Sequence, residues 1–233
     1  MSTIAANLQA VEATIQAACD AASRPRSTVQ LLAVSKMFPP EAVLEAVDAG
    51  QRAFGENYLQ EGVDKIAAVA KARPDMRLKW HFIGPIQSNK TRPIAASFDW
   101  VHTVERLKIA QRLSEQRPPE LGPLNICLQV NISGEASKSG AAPEEVPALA
   151  RAVSTLPNLR LRGLMAIPEP EADPEQQRIP FARLRALAQD IVKDGIFLDT
   201  LSMGMSGDMR AAILEGASIV RVGSAIFGAR HYE

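Results

Sequence analysis

Cysteine is scarce in this chain: Cys19 and Cys127 are the only two. The first falls in a helical pattern and the second in an apolar strand pattern. Both therefore read as buried hydrophobes rather than as a disulfide or a metal pair, and no metal centre is expected. Neither sign of charge prevails, with 26 Lys plus Arg against 26 Asp plus Glu, so nucleic acid and anionic membrane are not expected partners. No stretch approaches the length of a membrane span. The N-terminus lacks the basic-then-apolar order of a secretory signal, which makes the cytoplasm the expected location. Also missing are a repeat at solenoid periods and any Pro/Gly/Ser linker longer than a loop. Tyrosine is confined to Tyr58 and Tyr232, a shortage that bears on catalysis.

What is present is the composition of a globular chain. Of 233 residues, 46% are hydrophobic and 22% charged, enough to bury a sizeable core. Residues 2–22 carry Ile4, Leu8, Val11, Ile15 and Ala18 at helical spacing. Short apolar strands then alternate with helical patterns. Strands are predicted at 29–34, 51–55, 78–83, 100–103, 124–131, 159–165, 198–203 and 218–222, with helices at 40–49, 58–72, 87–96, 105–116, 143–155, 174–193 and 207–215. Eight strand–helix alternations specify an α/β fold, a single-domain (β/α)8 TIM barrel over residues 1–233 with an extra N-terminal helix. An open doubly wound sheet would normally show a Gly-rich turn after its first strand; this chain has Lys36 there.

A barrel keeps its chemistry at the C-terminal ends of its strands. The first strand ends at Ser35-Lys36, and Met37-Phe38-Pro39-Pro40 breaks it. A partly desolvated amine at that position has a lowered pKa and can attack a carbonyl to form a Schiff base. On this stretch alone the commoner reading is a strand-end lysine that reaches out to water. Two late stretches add to it. In Leu201-Ser202-Met203-Gly204-Met205-Ser206-Gly207-Asp208, small residues surround a strand-to-helix turn, where backbone amides and hydroxyls suit an anion. In Val220-Arg221-Val222-Gly223-Ser224, the last strand runs into residues that allow close backbone approach to an oxygen-rich group. A phosphate held after strands 7 and 8 recurs in barrels. Arg221 faces away from Val220 and Val222, either paired with a buried carboxylate or facing the ring nitrogen of a heterocycle.

A Schiff-base lysine, a phosphate cup and an arginine on the last strand point together to pyridoxal 5′-phosphate (PLP). The segments AVSK (33–36), FGENY (54–58), WHFIGPIQSNK (80–90), VNISGEASKSG (130–140), GLMAIP (163–168), LSMGMSGD (201–208) and VRVGSAIFGAR (220–230) carry a resemblance. They resemble the pyridoxal phosphate homeostasis proteins (the YggS/PROSC family), relatives of the alanine racemase barrel of fold type III. Met37-Phe38 departs from the usual Thr or Lys before the proline. The resemblance implies that Lys36 forms the internal aldimine. It also implies that Ser206, Gly223 and Ser224 cradle the phosphate, with Arg221 opposite the pyridine nitrogen. Asn57 and His81 would line the ring and Met203 would pack near it. Lys138 matches a second family lysine associated with PLP transfer; a solvated loop lysine is the alternative.

Racemisation needs an acid/base on each side of the substrate. Relatives with that activity use a tyrosine from a partner subunit and a second domain, for which this chain has no room. No second acid/base is evident in the sequence, so the expected function is a PLP carrier: it holds the cofactor on Lys36 and passes it to PLP-dependent apoenzymes, as a monomer with no catalytic residues. A small PLP-dependent amino-acid racemase or lyase, with His81 and His102 as second bases, is the alternative. A third reading is a barrel that binds a phosphorylated metabolite without PLP.

Overall fold

The computed structural model describes residues 2–134 and 139–229. Helix α1 (Thr3–Ala21) comes first; Ser2 caps it by accepting from the Ala5 amide at 3.2 Å. Its apolar stripe, Ile4, Leu8, Val11, Ile15 and Ala18, is buried as its spacing predicts. Eight strands follow: β1 (Gln30–Val34), β2 (Ala53–Glu56), β3 (Lys79–Phe82), β4 (Trp100–Val104), β5 (Leu124–Gln129), β6 (Leu159–Met165), β7 (Thr200–Ser202) and β8 (Ile219–Val222). They pair in chain order, all parallel, and β8 closes on β1 with Leu31 opposite Val220 and Leu32 opposite Arg221. This is the expected (β/α)8 barrel. Closure leaves no unpaired strand edge.

The helices between the strands are α2 (Pro40–Asp48), α3 (Leu59–Ala72), α4 (Thr91–Ser97), α5 (Leu107–Gln116), α6 (Val146–Ser154), α7 (Pro174–Lys193) and α8 (Met209–Leu214). A short α9 (Ser224–Phe227) follows β8 and was not read from the sequence. The helix expected over 87–96 begins instead as a 3₁₀ turn at Ser88–Lys90 and becomes α-helical only at Thr91. Pro93 explains the delay, since its ring would strike the carbonyl four residues back, at Asn89, in a continuous α-helix. Helix α1 packs against α8 and α9, and the Asn7 side-chain amide donates to the Ile226 carbonyl at 2.8 Å.

Strand alternation divides the buried side chains into two layers. Phe54, Phe82, Val101, Ile126 and Val220 pack outward against the helices. Leu32, Val34, Ala53, Ile83, Trp100, Cys127, Met165 and Ile219 form a separate cluster that fills the lumen. Full burial of a side chain of this size stabilises the fold by about 1.5–3 kcal/mol. Cys19 and Cys127 are both buried and unpaired with each other, and burial pushes the Cys127 thiol up to about 12. Among the described residues no helix is long and apolar enough to cross a membrane, and no cluster of His, Cys, Asp or Glu could hold a metal ion.

Candidate functional site

Where the strands end, their loops enclose a cavity of about 260 Å³. Lys36 enters it from the end of β1 and Asn57 from the end of β2. The β7–α8 loop contributes Ser206 and Gly207, the end of β8 contributes Gly223 and Ser224, and Arg221 lies on the wall below them. Six of the eight nominated residues therefore meet at one cavity. A larger cleft, about 510 Å³, lies between α7 and the opposite ends of β7 and β8, lined by Ala188, Val192, Leu198 and Leu201. It lies at the N-terminal ends of the strands, opposite the face where a barrel keeps its chemistry.

His81 and Met203 do not line the cavity. Met203 follows Ser202, which faces the lumen, so its side chain turns outward into the helix-facing layer and is fully buried there. His81 lies deeper in the lumen, shut off from water and stacked on Trp100 with centroids 5.2 Å apart. Lys138 lies outside the described residues.

Arg221 is buried and anchored from below. Its Nη1 donates to Ser202 Oγ at 2.7 Å and its Nη2 to the Ala166 carbonyl at 3.0 Å. A hydroxyl and a carbonyl thus take the place of the carboxylate that a buried ion pair would supply. Burial lowers its guanidinium to about 10, against the pull of Asp208 and Cys127, so it stays charged at neutral pH. Ser202 Oγ also lies 2.7 Å from His102 Nδ1, and His102 Nε2 lies 2.8 Å from His81 Nδ1. A polar chain thus descends from the cavity wall through β8, β7, β4 and β3.

Around Lys36 the backbone is held by buried charge. Lys65, on α3, donates to the Ser35 carbonyl and to Glu56 Oε1, each at 2.7 Å, and to Glu61 Oε1 at 2.8 Å. Glu61 accepts from the Met37 amide at 2.6 Å. Burial raises the Glu56 carboxyl, opposed by Lys65 and by the Ser35 hydroxyl bond. Sequence reasoning missed Lys65 and Glu61, because an i,i+4 Glu/Lys pair is common on any solvated helix face.

Two glycines shape the rim. A Cβ on Gly84 would lie 2.0 Å from the Asn57 carbonyl oxygen, so only glycine lets β3 end this close to Asn57. Gly204 has φ +97°, and a Cβ there would meet Ala212 Cβ at 2.6 Å. Asn57 Oδ1 is buried without a hydrogen-bond partner among the described residues. A buried polar atom of this kind on a cavity wall fits a bound polar ligand.

The comparisons with known proteins accord with this arrangement. The sequence matches the family described as alanine racemase, N-terminal domain, over residues 6–231. It is 65% identical over 232 residues to the pyridoxal phosphate homeostasis protein of Pseudomonas aeruginosa, covering 100% of this chain and 98% of that protein. The Escherichia coli protein of the same name is 54% identical over 233 residues, covering 100% and 99%. The chain belongs to the pyridoxal phosphate homeostasis protein family. Among solved structures, PipY of Synechococcus elongatus with PLP bound is 35% identical with a TM-score of 0.83, covering 97% of this chain and 100% of that one. An alanine racemase of Clostridium difficile shares the fold at 14% identity and a TM-score of 0.69, covering 88% of this chain and 53% of that one.

Family membership gives the cavity residues a common chemical theme. An amine, a buried guanidinium and a turn of small residues suit an aldehyde, a ring nitrogen and a phosphate respectively. The donor set therefore fits PLP.

Proposed function

We propose that this chain binds PLP in the cavity at the C-terminal ends of its strands and serves PLP homeostasis by passing the cofactor to apoenzymes. The observation that carries this reading is the convergence of Lys36, Arg221 and the Ser206–Gly207 and Gly223–Ser224 turns on one cavity. The names of its close relatives and PLP-bound PipY support it.

Lys36 Nζ would hold PLP through its aldehyde carbon, the amine displacing the aldehyde oxygen as water. The backbone amides and hydroxyls of Ser206, Gly207, Gly223 and Ser224 bind the phosphate. Arg221, fixed by Ser202 and Ala166, would offer a cation to the ring nitrogen of a bound PLP and disfavour protonation there. An unprotonated ring is a weak electron sink, which suits storage better than carbanion chemistry. Met37, Ile167 and Met205 are partly exposed apolar residues. Ile167 and Met205 lie on the cavity itself, and an apolar rim favours approach of an acceptor protein. This reading takes the chain as a monomer.

A racemase or lyase would need a second acid/base at the cavity. His81 and His102 are fully buried beneath Arg221, and Tyr58 lines a neighbouring cleft with Pro85 and Gln87. Tyr232 lies outside the described residues. The deciding experiment is addition of PLP followed by borohydride trapping and peptide mapping, with Cα hydrogen–deuterium exchange on amino acids run alongside. Label on Lys36 without exchange is expected. Label on another lysine would overturn the site, and rapid exchange lost in Lys36→Ala would make the protein an enzyme.

A further inference from the structure

The peptide groups on either side of Lys36 are both gripped by side chains of one buried cluster. The Ser35 carbonyl, which belongs to the peptide preceding Lys36, accepts from Lys65 Nζ at 2.7 Å and from the Phe38 amide at 3.1 Å. The Met37 amide, which belongs to the peptide that follows, donates to Glu61 Oε1 at 2.6 Å. Peptide groups are planar, so holding both planes fixes φ and ψ at Lys36 and with them the direction of its Cα–Cβ bond. Ser35 is secured again through its side chain, whose hydroxyl donates to Glu56 Oε1 at 2.5 Å.

The cluster is built for rigidity. Lys65 is 2% exposed and Glu56 0%, and Lys65 and Glu61 stand one helical turn apart on α3. Lys65 ties the three acceptors Ser35, Glu56 and Glu61 into one unit. Met37 has φ +66°, a left-handed conformation that is strained for a non-glycine residue. Such a conformation persists only where its surroundings over-determine it. None of Lys65, Glu56 or Glu61 lines the cavity.

We propose that Lys65, Glu56 and Glu61 form a positioning clamp for Lys36, setting how readily its amine forms and keeps the imine while leaving the rest of the PLP site untouched. The inference rests on the reading of Lys36 as the PLP anchor. A clamp acts only on the covalent step, so it is separable from the binding of phosphate and ring.

The test compares two ligands in the intact protein: PLP, and pyridoxine 5′-phosphate, whose alcohol group cannot form an imine. In Glu61→Ala the clamp reading expects PLP affinity to fall about tenfold, and analogue affinity to stay within about twofold, as loss of one charge-assisted hydrogen bond implies. Imine release, followed by the visible absorbance, should quicken to match. Glu61→Gln keeps an oxygen for the Met37 amide and should recover most of the difference. Lys65→Met should show the same split between ligands; if it does not fold, the part-exposed Glu61 variants still decide the matter. Equal weakening toward both ligands would mean a merely structural role and would overturn the clamp. So would unchanged PLP binding in Glu61→Ala, or a Gln variant no better than Ala. Trapped cofactor on a lysine other than Lys36 in the unaltered protein is a separate result, which removes the anchor reading and the clamp with it.

Discussion

His81 Nδ1 lies 2.8 Å from His102 Nε2 in the barrel lumen, with both rings fully buried. Burial pushes the His81 imidazole down to about 3, helped by Lys79. Burial also drives His102 well below its ordinary value, with His81 and Arg221 adding repulsion. Two neutral rings at this distance share a single N–H, one donating and the other accepting.

The unfolded chain takes up protons on histidine as pH falls below 6.5, whereas these folded rings refuse them. Their contribution to stability is therefore fully present above 6.5 and is lost as pH falls toward their depressed folded values. Glu56 has the opposite sign: its raised carboxyl contributes most below 4.5 and loses that contribution as pH rises through its folded value. Denaturant titration at several pH values should show stability declining as pH falls below 6.5. Ring-nitrogen NMR should show His81 and His102 neutral at and below 6.5; titration of either of these two rings near 6.5 would refute the buried pair.

Lys36 is part-exposed and sits in a loop, beyond the last residue of β1. Lys36→Ala should abolish borohydride-trappable PLP while changing folding stability by no more than about 1 kcal/mol. Circular dichroism and mass spectrometry of the reduced protein check both halves.

Arg221→Glu places a carboxylate where a buried guanidinium meets Ser202 and Ala166. The expected outcome is a shifted visible spectrum for bound PLP, together with a loss of stability of about 3–5 kcal/mol from the uncompensated buried charge. An unshifted spectrum would assign Arg221 to structure alone.

Gly84→Ala drives a methyl group into the Asn57 carbonyl oxygen, 2.0 Å from the ideal Cβ position. It should destabilise the fold by about 1–3 kcal/mol through the backbone shift it forces. PLP affinity should fall as well, because Asn57 moves with it. Calorimetry and ligand titration measure the two effects.

The amino-acid sequence by itself determined the barrel, its leading helix and the identity of the residues at the strand ends. Apolar periodicity is a local signal, and the order of strands follows from alternation with helices. That Lys36, Asn57, Ser206, Arg221, Gly223 and Ser224 would meet at one cavity was legible because a parallel barrel sends every strand's C-terminus to one face. Depth was not legible. His81 and Met203, named with the ring, stand outside the cavity lining: His81 is shut off from water and Met203 packs in the helix-facing layer. Only tertiary structure decided the bonds that cross the barrel: His102 and Ser202 are 100 residues apart in the chain and 2.7 Å apart in space. It likewise turned Glu61 and Lys65, an unremarked helical pair in the sequence, into the grip on either side of Lys36. Pairing across a closed sheet depends on stagger and tilt, which are properties of the whole barrel and are written in no single stretch of it.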